Sequence, residues 1–400
     1  MFEKAFIPYK GYYSSPFCRW QGAFANENSI QLGAETAKRW FATKDFDMSQ
    51  FDYTFFGITV GQNHWFYGGT WANAMMGLQI PAVNIMQACT TGTTCVYNAA
   101  LAVEQGYMKS PICLTTDRLS NGPHTIWPNP NGPGGEVISE NWAMDNFNAD
   151  PNTGQPMIQT AENVAKKAGL TREQADELAL RRYEQYMDSM KDDRAFQKRY
   201  MFPVEVKLSR KKTILVDADE GITPSTREGL ASLRPVREGG IHTFGAQTHP
   251  ADGNAGMIVT TKERAAELAQ DKFIEVRLLG FGQARVEKGH MPMAPVPAAR
   301  AALKAAELEI KDIDAVKTHN PFAVNDIVFA RDTGFPVEKM NNYGSSLIFG
   351  HPQGPTGMRC VIELIEELAL RGGGNGLFTG CAAGDTAMAV VVNVSDLRKH

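Results

Sequence analysis

Hydrophobic positions along this chain gather in short runs, and the runs lead into glycine-bearing turns and then helical stretches. Ala82-Val83-Asn84-Ile85-Met86 is one such run. It passes through Gln87-Ala88-Cys89-Thr90-Thr91-Gly92 into a small-residue helix predicted from Thr93 to Gln105. Gly106 and the apolar strand Ile112-Cys113-Leu114-Thr115-Thr116 follow. Far downstream the pattern returns. A strand at Val337 to Asn341 leads through Gly350-His351-Pro352-Gln353-Gly354-Pro355 into a helix predicted from Thr356 to Leu370. Three glycines, Gly372 to Gly374, and a strand from Gly376 to Thr379 complete the second unit. More elements lie upstream of each: a strand from Tyr53 to Val60 in the first half, and in the second a helix from Ala299 to Glu307, a strand from Ile313 to Thr318 and a helix from Ala323 to Asp332. Strands this apolar belong to sheets covered on both faces. The repetition predicts a duplicated α/β architecture whose site lies at the strand-to-helix turns.

Between the two units the texture changes. Residues 120–154 are crowded with Gly, Pro and Asn and carry Trp127, Trp142 and Phe147, which predicts an ordered covering segment. Thr171-Arg172-Glu173-Gln174 then reads as a capping box opening a charged helix that continues through Tyr186. The chain therefore divides into a first half, residues 1–119 plus 243–271, an inserted covering region, residues 120–242, and a second half, residues 272–400.

Composition narrows the function classes. At 400 residues, with 43% hydrophobic and 21% charged positions, the chain is typical of a globular protein with more than one packed unit. A net charge of -4 offers no basic patch for nucleic acid or a membrane surface. No run is long enough to span a bilayer and the start lacks a leader-like apolar stretch, so a cytoplasmic location is expected. Six cysteines without CxxC spacing argue against a disulfide framework and against a zinc site, so no bound metal is expected.

Three residues carry candidate chemistry. Cys89 stands just before a helix, where the backbone dipole favours the thiolate, and Gly92 is expected to give a tight turn and close ligand approach. Taken alone, a cysteine before a small-residue helix is more often a buried structural residue. His351 precedes the second helix in a loop stiffened by Pro352 and Pro355, placed either to take a proton from a thiol or simply to cap the helix. Cys381 ends the last strand among small residues whose N–H groups suit an oxyanion hole, although a strand-end cysteine is commonly structural.

In these stretches the chain resembles the thiolase superfamily, nearly end to end. The matching stretches are Cys89-Thr-Thr-Gly92, Met157-Ile-Gln-Thr-Ala-Glu162, Leu170-Thr-Arg-Glu-Gln-Ala-Asp-Glu-Leu-Ala179, Asp219-Glu-Gly-Ile-Thr-Pro224, Ala251-Asp-Gly253, Met291-Pro-Met-Ala-Pro-Val-Pro-Ala298, Gly350-His-Pro-Gln-Gly-Pro-Thr-Gly357 and Gly380-Cys381. The resemblance implies a five-layered α-β-α-β-α fold and cleavage of a 3-oxoacyl-CoA by CoA. Cys89 would carry the acyl group, His351 would activate it, and Cys381 would move the α-proton of the acetyl-CoA unit. Backbone N–H groups of Cys89 and Ala383 would form an oxyanion hole, and Thr248, Met291 and Phe322 would line the substrate or CoA site. Coenzyme A would be a co-substrate, with no permanently bound cofactor.

Two departures matter. Most thiolases have Asn-Glu-Ala-Phe where this chain has His319-Asn320-Pro321-Phe322, as in the sterol-carrier type, and His319 could itself reach the thioester oxygen. Ala382-Ala383-Gly384 replaces a glycine run. Relatives with this histidine imply a homodimer core, a small zinc-ribbon/OB-fold partner subunit, and a bulky or aromatic acyl substrate such as benzoylsuccinyl-CoA. Competing readings are a short-chain acetoacetyl-CoA thiolase, a ketoacyl-synthase-like condensing enzyme, which would not need Cys381, and a non-catalytic CoA-binding scaffold.

Overall fold

The computed structural model describes residues 1–399 and contains two mixed sheets built to one plan. In the first, the order runs Tyr12–Ser14, Ala251–Ile258, Ile112–Arg118, Thr54–Gly57, Ala82–Ile85, with Cys18–Arg19 also on Ala251–Ile258. In the second, it runs Phe6–Ile7, Ile274–Arg285, Thr386–Asp396, Gly373–Ala382, Ala315–His319. Leaving Phe6–Ile7 aside, the two orders superimpose in sense: two antiparallel pairings followed by a parallel one. The first sheet then adds Ala82–Ile85 in parallel. The second adds only a bridge between Val316 and Met340.

That bridge replaces the strand expected at Val337 to Asn341. Gly334 ends the preceding helix in the left-handed region, and Pro336 cannot donate to a ladder. Val337–Lys339 therefore makes a single 3-10 turn. Another difference lies at the N-terminus, where Phe6–Ile7 pairs with Ile274–Arg285 of the second sheet. The first half thus lends a strand to the other sheet.

Helices Thr91–Glu104 and Gly354–Arg371 lie between the sheets, with Ser29–Phe41 and Gly68–Met76 outside the first and Pro295–Ala305 and Ala323–Thr333 outside the second. This is the expected five-layer order. Strand alternation fills it: Val390, Val392 and Val394 face the central core, whereas Ala389 and Val391 face the outer one. Both faces are buried, so the strand reads as an unbroken apolar run.

Helix Gly354–Arg371 is buried from Gly354 to Leu368 although it carries four charged residues there. Each is paired. Arg359 meets both carboxylate oxygens of Asp219 at 2.7 and 2.8 Å. Glu363 takes Lys317 at 2.7 Å, and Glu366 takes Tyr12 at 2.8 Å and Arg199 at 2.7 Å. Buried charges persist only with such partners. The Asp219-Glu-Gly stretch is therefore an anchor for the central helix.

The inserted segment is ordered, as expected, but differs in form. His124–Pro128 and Val137–Asn141 make a two-stranded ribbon, followed by helix Trp142–Asn148. Its apolar residues Ile126, Trp127, Val137, Ile138 and Met144 are exposed. The capping box at Thr171 and Gln174 forms as predicted and opens helix Arg172–Ser189.

Candidate active site

Cys89 sits on a tight turn between strand Ala82–Ile85 and helix Thr91–Glu104. Ala88 has φ +45°, a conformation that costs a non-glycine residue energy and is held here by its neighbours. The Thr91 hydroxyl accepts from the Gln87 N–H at 2.7 Å and donates to the Ala88 carbonyl at 2.7 Å. Thr90 donates to the Gln87 carbonyl at 3.0 Å. The two threonines after the cysteine thus brace the turn that presents it.

Gly92 serves a purpose other than the expected turn. It lies inside the helix, and a Cβ on it would stand 2.4 Å from the Gly354 carbonyl oxygen. Gly357 similarly faces Thr93. The two helices can meet at their N-terminal ends only because both positions lack side chains. Asp117 reinforces this meeting, since one of its oxygens accepts from the Gly354 N–H at 2.9 Å while the other accepts from Thr59 and Val60 N–H groups. The loop bearing His351 is thereby tied to the half bearing Cys89.

His351 and His319 are buried and stacked, with ring centroids 4.0 Å apart and an interplanar angle of 30°. Each Nδ1 is held by a hydroxyl: Thr356 Oγ1 at 2.6 Å from His351, and Ser346 Oγ at 2.8 Å from His319. Each Nε2 is buried without a partner. Burial holds both rings neutral, lowering the His319 pKa to about 3. His351 falls well below the ordinary histidine range, through burial and then the neighbouring His319, while Gln353 opposes the shift. Cys89 Sγ and one nitrogen from each ring lie within 4.8 Å of one another.

The expected thiolate is not the resting form of Cys89. Burial pushes its thiol up to about 12, against the N–H groups of Ala383 and Cys89 that pull it down. These are the two N–H groups that the resemblance implies for an oxyanion hole. The thiol meets Gln353 Oε1 at 3.1 Å, so a base must take its proton on demand. As a whole residue Cys89 is partly exposed.

Cys381 is fully buried and accepts from Asn325 Nδ2 at 3.3 Å. Burial, and then proximity to Cys89, hold its thiol above the usual range. It shares one apolar cluster with Met291 and Phe322. Thr248 ties loops together: its N–H donates to the Pro321 carbonyl at 2.7 Å and its hydroxyl to the Ser346 carbonyl. The structure therefore gathers Cys89, His319, His351, Cys381 and the Ala383 N–H. Met291 and Phe322 stand beside Cys381, and Thr248 stands behind His319.

Four polar residues at the site receive no role in the sequence reading: Gln353, Ser346, Asn325 and Thr356. Their side chains act on residues distant in sequence or on the next helical turn, which spacing does not reveal. His242 is also buried, with Nδ1 3.1 Å from Glu162 Oε1 and its ring edge-on to Phe322. A thiol and two imidazoles form a donor set for a soft cation, and among the described residues the group holds three such ligands.

Comparison with known proteins identifies the family. The model of the thiolase N-terminal domain matches residues 11–263, and that of the thiolase C-terminal domain matches residues 273–394. An acetyl-CoA acetyltransferase of Syntrophomonas wolfei is 31% identical over 394 residues, covering 94% of this chain and 96% of that protein. An Escherichia coli acetyl-CoA acetyltransferase is 30% identical over 383 residues, covering 93% and 94%. The crystal structure of human mitochondrial 3-ketoacyl-CoA thiolase superimposes with a TM-score of 0.90 at 24% identity, over 98% of this chain and 100% of that one. The chain belongs to the thiolase family and is an acyltransferase of the thiolase type.

Proposed function

We propose that the protein cleaves a 3-oxoacyl-CoA with CoA through an acyl group carried on Cys89. The observation that carries this reading is the convergence of Cys89 Sγ with two neutral imidazoles whose Nε2 atoms lack partners. His351 takes the Cys89 proton, and the thiolate attacks the 3-oxo carbon. The C2–C3 bond breaks, and its electrons form the enolate of acetyl-CoA, which Cys381 protonates. Free CoA then attacks the acyl-Cys89 thioester, its thiol proton returns to the enzyme, and the shortened acyl-CoA leaves. Donors fixed where oxygen gains charge lower both barriers. The Cys89 and Ala383 N–H groups serve one oxygen, and His319 with His351 serves the other.

Met291 and Phe322 line the acyl end of this site, and Thr248 sets its floor. Residues 1–119 with 243–271 and residues 272–400 act as the two catalytic halves, with 120–242 as the insert between them. Ala82–Ile85 is the outer strand of its sheet among the described residues, and Val83, Met86, Trp65, Phe66 and Tyr67 are exposed. An open edge with apolar neighbours supports a homodimer core. The exposed ribbon residues Ile126, Trp127, Val137 and Ile138 support docking of a small zinc-ribbon/OB-fold subunit in a heterotetramer.

His319 and the aromatic-rich insert favour a bulky, aromatic acyl group, with benzoylsuccinyl-CoA as the example to test. No helix among the described residues is long and apolar enough to cross a membrane, which fits a cytoplasmic enzyme. Thiolysis of benzoylsuccinyl-CoA and acetoacetyl-CoA, measured as loss of free CoA thiol, tests substrate and activity together. Cleavage of the aromatic substrate with metal analysis of the native complex supports the whole reading. A zinc-free homodimer preferring acetoacetyl-CoA would remove the aromatic substrate and the partner. Absence of thiolysis with every 3-oxoacyl-CoA would remove the activity.

A further inference from the structure

We propose that Ser346 is a positioning residue that holds His319 in the tautomer with its proton on Nε2, facing the thioester oxygen. The inference rests on the oxyanion role given to His319 above. A neutral imidazole carries one N–H. With the proton on Nδ1, Nε2 would turn a lone pair towards the substrate oxygen and repel it; with the proton on Nε2, it donates.

Ser346 decides between them through its own single proton. Its Oγ has two acceptors nearby, His319 Nδ1 at 2.8 Å and Asn320 Oδ1 at 3.2 Å. The imidazole is the nearer. Asn320 Oδ1 is already served by the Leu347 N–H at 3.1 Å, so it does not require the hydroxyl. The Asn320 N–H donates into a Ser346 lone pair at 3.2 Å, which strengthens the hydroxyl as a donor. The orientation of the Asn320 amide is fixed independently. Its Nδ2 meets Asp326 Oδ2 at 2.6 Å, and that carboxylate also accepts from Arg182 at 2.8 Å and from Thr318 at 2.6 Å. A carboxylate so engaged accepts only, so the amide presents Oδ1 to Ser346 and Leu347. The hydroxyl proton therefore goes to Nδ1, and His319 keeps its proton on Nε2.

Histidines labelled with nitrogen-15 report the tautomer directly, because protonated and unprotonated ring nitrogens differ widely in shift. The wild-type spectrum is expected to contain a neutral imidazole protonated on Nε2 that disappears in His319→Ala and loses its single-tautomer signature in Ser346→Ala. Steady-state thiolysis supplies the functional readout. Ser346→Ala is expected to lower kcat ~10-fold with KM little changed, less than the ~10²–10³ for losing an oxyanion donor outright. Ser346→Thr, which keeps the hydroxyl, restores most of it. In a His319→Ala background, Ser346→Ala has no further effect.

A His319 signal protonated on Nδ1, or equal losses from Ser346→Ala with and without His319, would overturn the inference alone. Full turnover by His319→Ala would remove the oxyanion role on which it rests. If Ser346→Ala does not fold, the wild-type spectrum still decides the tautomer.

Discussion

His319→Asn should flatten the acid side of the stability curve, because a neutral buried imidazole opposes a proton that the unfolded chain accepts. The folded-state pKa is lowered by burial to about 3, against an ordinary value of 6.5. Above pH 6.5 neither state binds the proton and stability is unaffected by it. As pH falls below 6.5 the unfolded chain binds the proton and the native protein does not, so stability falls with pH until the folded-state pKa is reached. One proton of difference is worth about 1.4 kcal/mol per pH unit. Between pH 6.5 and about 4.5, His319 therefore removes roughly 2 kcal/mol. Replacing it also takes away the neighbour that disfavours a charged His351, so that ring's contribution shrinks in the same direction. Urea unfolding of both proteins across this range gives the two slopes. Parallel slopes would show that His319 is protonated or solvated in the native state, and would refute the buried, neutral donor.

Two further predictions test the geometry. Cys381→Ala should still accept an acyl group on Cys89 but fail to exchange the α-protons of acetyl-CoA with deuterated solvent; exchange at the wild-type rate would assign the base elsewhere. Gly92→Ala should cost ~1–3 kcal/mol or more, because its Cβ would meet the Gly354 carbonyl at 2.4 Å and backbone cannot rotate aside. Denaturation together with kcat reads both effects, and unchanged values would mean the helices can part without harm.

Much of this design is legible in local pattern. The pattern bounds helix Gly354–Arg371 within two residues, because the proline-bearing turn through Pro355 precedes it and Gly372 closes it. The candidate residues Cys89, His351 and Cys381 are legible because each stands at a strand-to-helix turn or strand end. The four site polar residues were not, since Ser346 acts on His319 and Asn325 on Cys381 only through folding. The buried charges of the central helix were hidden for the same reason. Glu363 and Glu366 look like a solvated face until Lys317, Arg199 and Tyr12 arrive from other segments. Val337 to Asn341 misled because an internal repeat suggested a strand that Pro336 does not permit.

The central claim is that Cys89 is the residue acylated during turnover. Mixing the protein with a 3-oxoacyl-CoA in the absence of free CoA, quenching in acid and mapping peptides by mass spectrometry tests it directly. The account predicts the acyl mass on the peptide containing Cys89, its loss on adding CoA, and its absence from Cys89→Ser. An acyl group on Cys381, or turnover that survives in Cys89→Ser, would contradict it.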